Sequence, residues 1–111
     1  EGDSLLVIFR NVAKAMSGAI AMQRALLIYN KDKAEEEKVL LCVGIGYGKV
    51  LRIGDIDVFG HEVNTASKLG EDTADAYEIL VTPPVKESAV DNPEFRFVTC
   101  DDGHHFRLEW E

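Results

Sequence analysis

The sequence predicts an α+β domain in which helices interleave with the strands of a largely antiparallel sheet. Three observations carry that prediction. A long amphipathic stretch follows directly on a short apolar run. Further short runs rich in Val, Ile and Leu are set apart by Gly, Pro and Asp. The last two such runs flank an Asp-Asp-Gly turn. A chain of 111 residues suffices for one small domain with a single core, so residues 1–111 are read as one unit.

Ser4 to Phe9 is apolar and branched, short enough to read as a strand. Asn11 can cap the adjoining segment. From Val12 to Tyr29 the residues Val12, Met16, Ala19, Ile20 and Leu27 share one helical face. Asn30 to Lys38 is a charged, solvated connector. Val39 to Ile45 is apolar on both faces, which predicts a central, two-sided strand. Gly46, Gly48 and Gly54 punctuate the next stretch, and Lys49 to Ile53 alternates as the second strand of a hairpin. Asp55 to Phe59 continues extended or turns. A helix then runs from about His61 to Gly70, with Val63, Ala66 and Leu69 inward. Glu78 to Thr82 is a strand stopped by Pro83-Pro84, and Pro84 to Ala89 forms a short helix. Phe95 to Cys100 and Phe106 to Trp110 complete the chain as a hairpin around Asp101-Asp102-Gly103.

The net charge of −8 argues against sequence-independent binding to nucleic acid or anionic membranes, which requires clustered Lys and Arg. An acidic domain can still hold a polyanion such as a nucleoside triphosphate, given metal ions and a few placed cations. No apolar run approaches the roughly 18 residues of a membrane span, so no direct membrane segment is expected. Glu1-Gly2-Asp3 opens no signal peptide, and a chain that starts in an apparent strand reads as a piece of a longer polypeptide. Cys42 and Cys100 are too few for a disulfide scaffold and read as reduced core thiols. The expected location is cytoplasmic, either free or as the cytosolic part of a larger membrane-attached protein.

The glycines of Gly44-Ile45-Gly46-Tyr47-Gly48-Lys49 match no phosphate-loop spacing, and a strand rather than a helix comes after them. A tight hairpin or a close backbone approach accounts for them better. His104 and His105, adjacent in a strand, point to opposite faces and make a weak zinc pair. Asn64 and Lys68, at i and i+4 on a helix, project side by side away from its apolar face. An amide beside an ammonium suits a ribose oxygen and a phosphate oxygen; a solvated face with Lys68 paired to Asp72 is the plain alternative. Asp57 can accept from the exocyclic amine of a base, or serve as a turn residue, and Asp3 taken alone is a turn residue too.

As an ordered set these stretches resemble the class III nucleotidyl cyclases, the adenylate and guanylate cyclase catalytic domains. The matching pieces are Gly2-Asp3 with the strand Leu5 to Phe9, and the helix around Ala19-Ile20-Ala21-Met22-Gln23. Val43 to Val50, Asp57-Val58-Phe59-Gly60, Val63 to Leu69, and Glu78 to Thr82 continue the series. The resemblance implies a ferredoxin-like nucleotidyl cyclase fold, here N-terminally truncated, that dimerises head to tail with active sites at the interface. It implies two Mg²⁺ or Mn²⁺ ions that help a ribose 3′-hydroxyl attack the α-phosphate and expel pyrophosphate. Asp3 matches a metal aspartate, and Asp57 the base-recognition position, where adenylate enzymes commonly carry Asp. Asn64 matches the ribose-orienting Asn, and Lys68 stands where the family usually has an Arg for the transition state.

The implied substrate is ATP, bound between the domain and a second cyclase domain, in a homodimer or a heterodimer. Some departures accompany the match. The family's first metal aspartate and its base-recognising Lys fall ahead of Glu1. Lys68 lacks the bidentate fork of Arg. The final hairpin lacks the family's Lys-Gly, with Arg107 the nearest substitute. The expected activity is adenylate cyclase in intracellular signalling; the alternative is a catalytically degenerate cyclase-homology domain acting as a regulatory or dimerisation module.

Overall fold

The computed structural model describes Val7, Phe9, residues 11–48 and 60–110, and the backbone alone of residues 51–53 and 57–59. The strand expected over Ser4 to Phe9 therefore lies, apart from Val7 and Phe9, outside the described residues.

Helix α1 spans Val12–Asn30. Asn11 is extended, and its side chain accepts from the Lys14 N–H at 3.2 Å, which occupies one of the first-turn donors a helix leaves open. Met16, Ala19, Gln23 and Asn30 are buried, so the inner face is apolar at its start and amide-bearing at its end. Gln23 is fully buried and donates through Nε2 to the carbonyls of Leu41 and Glu78, at 3.0 and 3.1 Å. Asn30 donates to the Val39 carbonyl at 2.8 Å and to the Tyr77 hydroxyl at 2.7 Å, and accepts from the Val39 N–H at 2.9 Å.

Those amides correct the strand expected over Val39 to Ile45. Strand β1 covers Val43–Ile45 alone. Val39 and Leu41 spend backbone groups on the side chains of α1 instead of on a sheet ladder, and Val39 and Leu40 remain exposed. Cys42, expected in the core, is exposed at the entry to β1; Cys100 is half-buried, and both are free thiols.

A four-stranded sheet has the order β1, β4 (Ile79–Val81), β6 (Phe106–Glu109), β5 (Arg96–Thr99). β1 runs parallel to β4, with Val43, Gly44 and Ile45 opposite Ile79, Leu80 and Val81. The other two pairs are antiparallel. Strands β2 (Leu51–Ile53) and β3 (Asp57–Phe59) form a separate antiparallel pair. The hairpin partner of the Lys49-to-Ile53 segment is thus β3, and β1 pairs with β4.

Alternation along β1 and β4 assigns the two faces of the sheet. Val43, Ile45, Ile79 and Val81 pack with Met16 and Ala19 of α1, and with Val85 and Ala89 of α3 (Pro83–Ala89). Leu80 and Gly44 point the other way, toward α2 (His61–Lys68). A Cβ on Gly44 would collide with the Ala66 carbonyl and lie 2.6 Å from the Gly70 nitrogen; one on Gly46 would lie 2.6 Å from the Glu62 carbonyl oxygen. The glycines therefore serve the close backbone approach, so that α2 lies directly on the strand.

Tyr77 adopts a left-handed backbone, φ 70°, unusual for a bulky residue. Its N–H donates to the Leu41 carbonyl at 2.9 Å, its hydroxyl accepts from Asn30, and its carbonyl accepts from Trp110 Nε1 at 2.9 Å. Anchored at backbone and ring alike, the residue holds a conformation that costs about 1–3 kcal/mol in isolation. At the far hairpin, Gly103 takes φ 73° in the turn, and Cys100 N–H reaches the His105 carbonyl at 2.8 Å.

Candidate functional site

The site builds from α2, which is joined to β3 through Gly60; the Asn64 N–H bonds the Gly60 carbonyl at 3.2 Å. Val63 and Ala66 are half-buried and Leu69 is buried, as their spacing requires. Asn64 and Lys68 are exposed on the remaining side, one turn apart. The face is solvent-exposed, as the plain alternative also expects, but among the described residues no ion pair joins Lys68 to Asp72. The helix stops short of the expected Gly70. Leu69–Thr73 forms a wider π turn, closed by the Ala74 N–H on the Leu69 carbonyl at 2.7 Å, where Gly70 backs onto Gly44.

Glu62 is a site residue that the sequence pattern does not single out. In the first turn of α2, it looks like a solvated acid at a helix start. Its Oε1 instead accepts from the Tyr47 N–H at 2.9 Å and from the Thr82 hydroxyl at 2.7 Å. The carboxylate thereby joins the residues just past the C-terminal ends of β1 and β4. Only its place at the border of the apolar stripe, beside inward Val63, hints at this in the sequence.

Of the other expected residues, Asp57 opens β3 opposite Ile53, four positions ahead of α2, and its side chain lies outside the described residues. Asp3 lies outside them as well. Arg107 sits on β6 opposite Leu80, and so projects from the α2 side of the sheet; it lies 3.8 Å from Glu109 and lines an open groove with Leu27, Tyr77 and Trp110. His105 is held by Asp102 at 2.7 Å rather than turned to a metal. Three hydrogen bonds, from the His104 N–H first, then the His105 ring and the His105 N–H, hold the Asp102 carboxyl down to about 2. Burial raises the Cys42 and Cys100 thiols, reinforced by nearby carboxylates, so neither is an activated nucleophile. No group of three or more His, Cys, Asp or Glu among the described residues could hold a metal ion.

The sequence matches the family described as the adenylate and guanylate cyclase catalytic domain over residues 2–105. The chain belongs to that family. A curated protein of Rhizobium meliloti (strain 1021), named "Putative adenylate cyclase 3", is 32% identical over 104 residues. That match covers 94% of this chain and 17% of the relative, so the cyclase domain spans a small part of that protein's length. The crystal structure titled adenylate/guanylate cyclase/hydrolase from Silicibacter pomeroyi superposes with a TM-score of 0.71 at 23% identity. It covers 90% of this chain and 62% of its own, and it shows the shared fold. Cyclase catalytic domains generally bind nucleotide, use divalent metal ions and dimerise. In this cyclase domain no helix among the described residues is long and apolar enough to cross a membrane.

Proposed function

We propose that this cyclase domain converts ATP to cyclic AMP and pyrophosphate at the interface with a second cyclase domain. The observation that carries the proposal is the Asn64/Lys68 pair. Both side chains stand exposed and adjacent on a helix held tightly to the sheet, and no other part of the described structure uses them. In this reading Asn64 orients the ribose, so that its 3′-hydroxyl lies in line with the α-phosphate. Lys68 offers an ammonium to the negative charge that grows on the phosphates during attack. Asp57 accepts from the exocyclic amine of adenine, and Asp3 is a ligand of the two Mg²⁺ or Mn²⁺ ions. The metal assignment rests on family membership, since the described residues include no ion-holding cluster.

Lys68 in place of the family's Arg favours a second reading, a degenerate domain that binds a partner and regulates without turnover. The deciding experiment is turnover of labelled ATP with Mn²⁺ by the full-length protein, with Asp3→Ala as control. Cyclic AMP that disappears in the variant is expected. A folded dimer that forms no product would overturn the enzymatic reading. ATP-over-GTP selectivity unchanged by Asp57→Cys would remove Asp57 from base recognition.

A further inference from the structure

We propose that Glu62 is a positioning residue for this reaction: its carboxylate fixes where α2 sits along β1, and so where Asn64 and Lys68 stand. The inference rests on the α2 face being the catalytic one. Along β1 and just past it, Gly44, Gly46 and Gly48 give the helix a floor without side chains, and the buried side chain beside it on this face, Leu80, comes from β4. The glycine stretch allows close approach but supplies no interdigitation of its own, and interdigitation is what normally sets the register of a helix against its neighbour.

Glu62 supplies the missing register. One oxygen takes two hydrogen bonds, from Tyr47 just past β1 and Thr82 just past β4, at 2.9 and 2.7 Å. Bonds to a carboxylate are about twice as strong as neutral ones and depend on direction. Thr82 corroborates the assignment. It occupies the N-cap position of α3, where a threonine hydroxyl ordinarily caps the helix, yet it makes no side-chain cap bond. Its fully buried hydroxyl is committed to Glu62. Asn64 comes two residues after this anchor, and Lys68 one turn further.

The test uses the full-length protein with Glu62→Ala, Glu62→Gln and Thr82→Val. Two readouts are taken: kcat and KM for ATP, and NMR of the Tyr47 amide together with the Gly44–Ala66 proton contacts. Loss of register costs on the order of 10- to 100-fold in reactions that depend on placement. Glu62→Ala is expected to lower kcat by that factor with KM within about threefold, while Tyr47 loses exchange protection and the Gly44–Ala66 contacts weaken. Glu62→Gln retains an acceptor oxygen for both bonds and should restore kcat to within about threefold of wild type. Thr82→Val, which removes only the hydroxyl, should fall between them and serves if Glu62→Ala does not fold.

A kcat that falls only with the folded fraction, or Gly44–Ala66 contacts unchanged in both Glu62→Ala and Thr82→Val, would overturn the inference. Wild-type protein without turnover would defeat the catalytic reading instead. The NMR readout would then still decide whether Glu62 seats α2.

Discussion

Replacing Gly44 by Ala puts a methyl group against the backbone of α2. The new Cβ would overlap the Ala66 carbonyl and lie 2.6 Å from the Gly70 nitrogen and 2.8 Å from Leu69 Cβ. Ordinary contacts begin near 3.4 Å, so the helix end must retreat by more than about 0.8 Å. Two of the three atoms are backbone and cannot swing aside as a side chain can. Overpacking of this kind costs about 1–3 kcal/mol, and backbone obstruction places the expected loss at the upper end, about 3 kcal/mol. For a domain of this size that lowers the melting temperature by on the order of 10 °C. Gly18→Ala is the control. Its methyl would meet only the Phe9 ring, at 3.5 Å and beyond, inside a helix where Ala is better than Gly by about 0.5–1 kcal/mol. Thermal unfolding monitored by the helical circular-dichroism signal should therefore move in opposite directions for the two variants. A Gly44→Ala protein that melts with wild type, or the same sign of shift for both, would refute the close-approach argument.

Gln23→Ala should destabilise by about 2–4 kcal/mol, because it opens a cavity and removes one of the two donors to each of the Leu41 and Glu78 carbonyls, which keep only the Tyr77 and Val43 N–H groups. A lower urea midpoint with unchanged slope is the expected signature. Asp102 has a folded-state pKa depressed from 3.8 to about 2, so the stabilisation of its turn is complete above about pH 4 and lost as pH falls through about 2. The amide shifts of His104 and His105 should titrate with that lower midpoint; one near 3.8 would show that the hydrogen bonds do not hold in solution. Under the proposed function, Lys68→Arg should raise kcat by restoring a bidentate fork, and Lys68→Ala should lower it by about 10²–10³. Equal rates for all three would remove Lys68 from the site.

Elements whose cause is local are legible in the sequence. Asn11 and the apolar spacing that starts at Val12 specify α1, and proline specifies the start of α3, since capping and periodicity act within a few residues. The exposed Asn64/Lys68 face is readable for the same reason: i and i+4 share a side on any helix. Features that depend on distant partners emerge only once the chain is folded. Residues 39–41 are as apolar as a strand should be, yet Gln23 and Asn30 take up backbone groups of Val39 and Leu41 from another element. The segment after the glycines alternates in either pairing, and only the register of Leu51 opposite Phe59 selects β3. Leu27, placed on the inner face by periodicity, ends 38% exposed, while Gln23 is fully buried. The role of Glu62 is hidden most deeply. A carboxylate in a first helical turn is satisfied by solvent until Tyr47 and Thr82 arrive from two strands, and nothing local to residue 62 encodes that convergence.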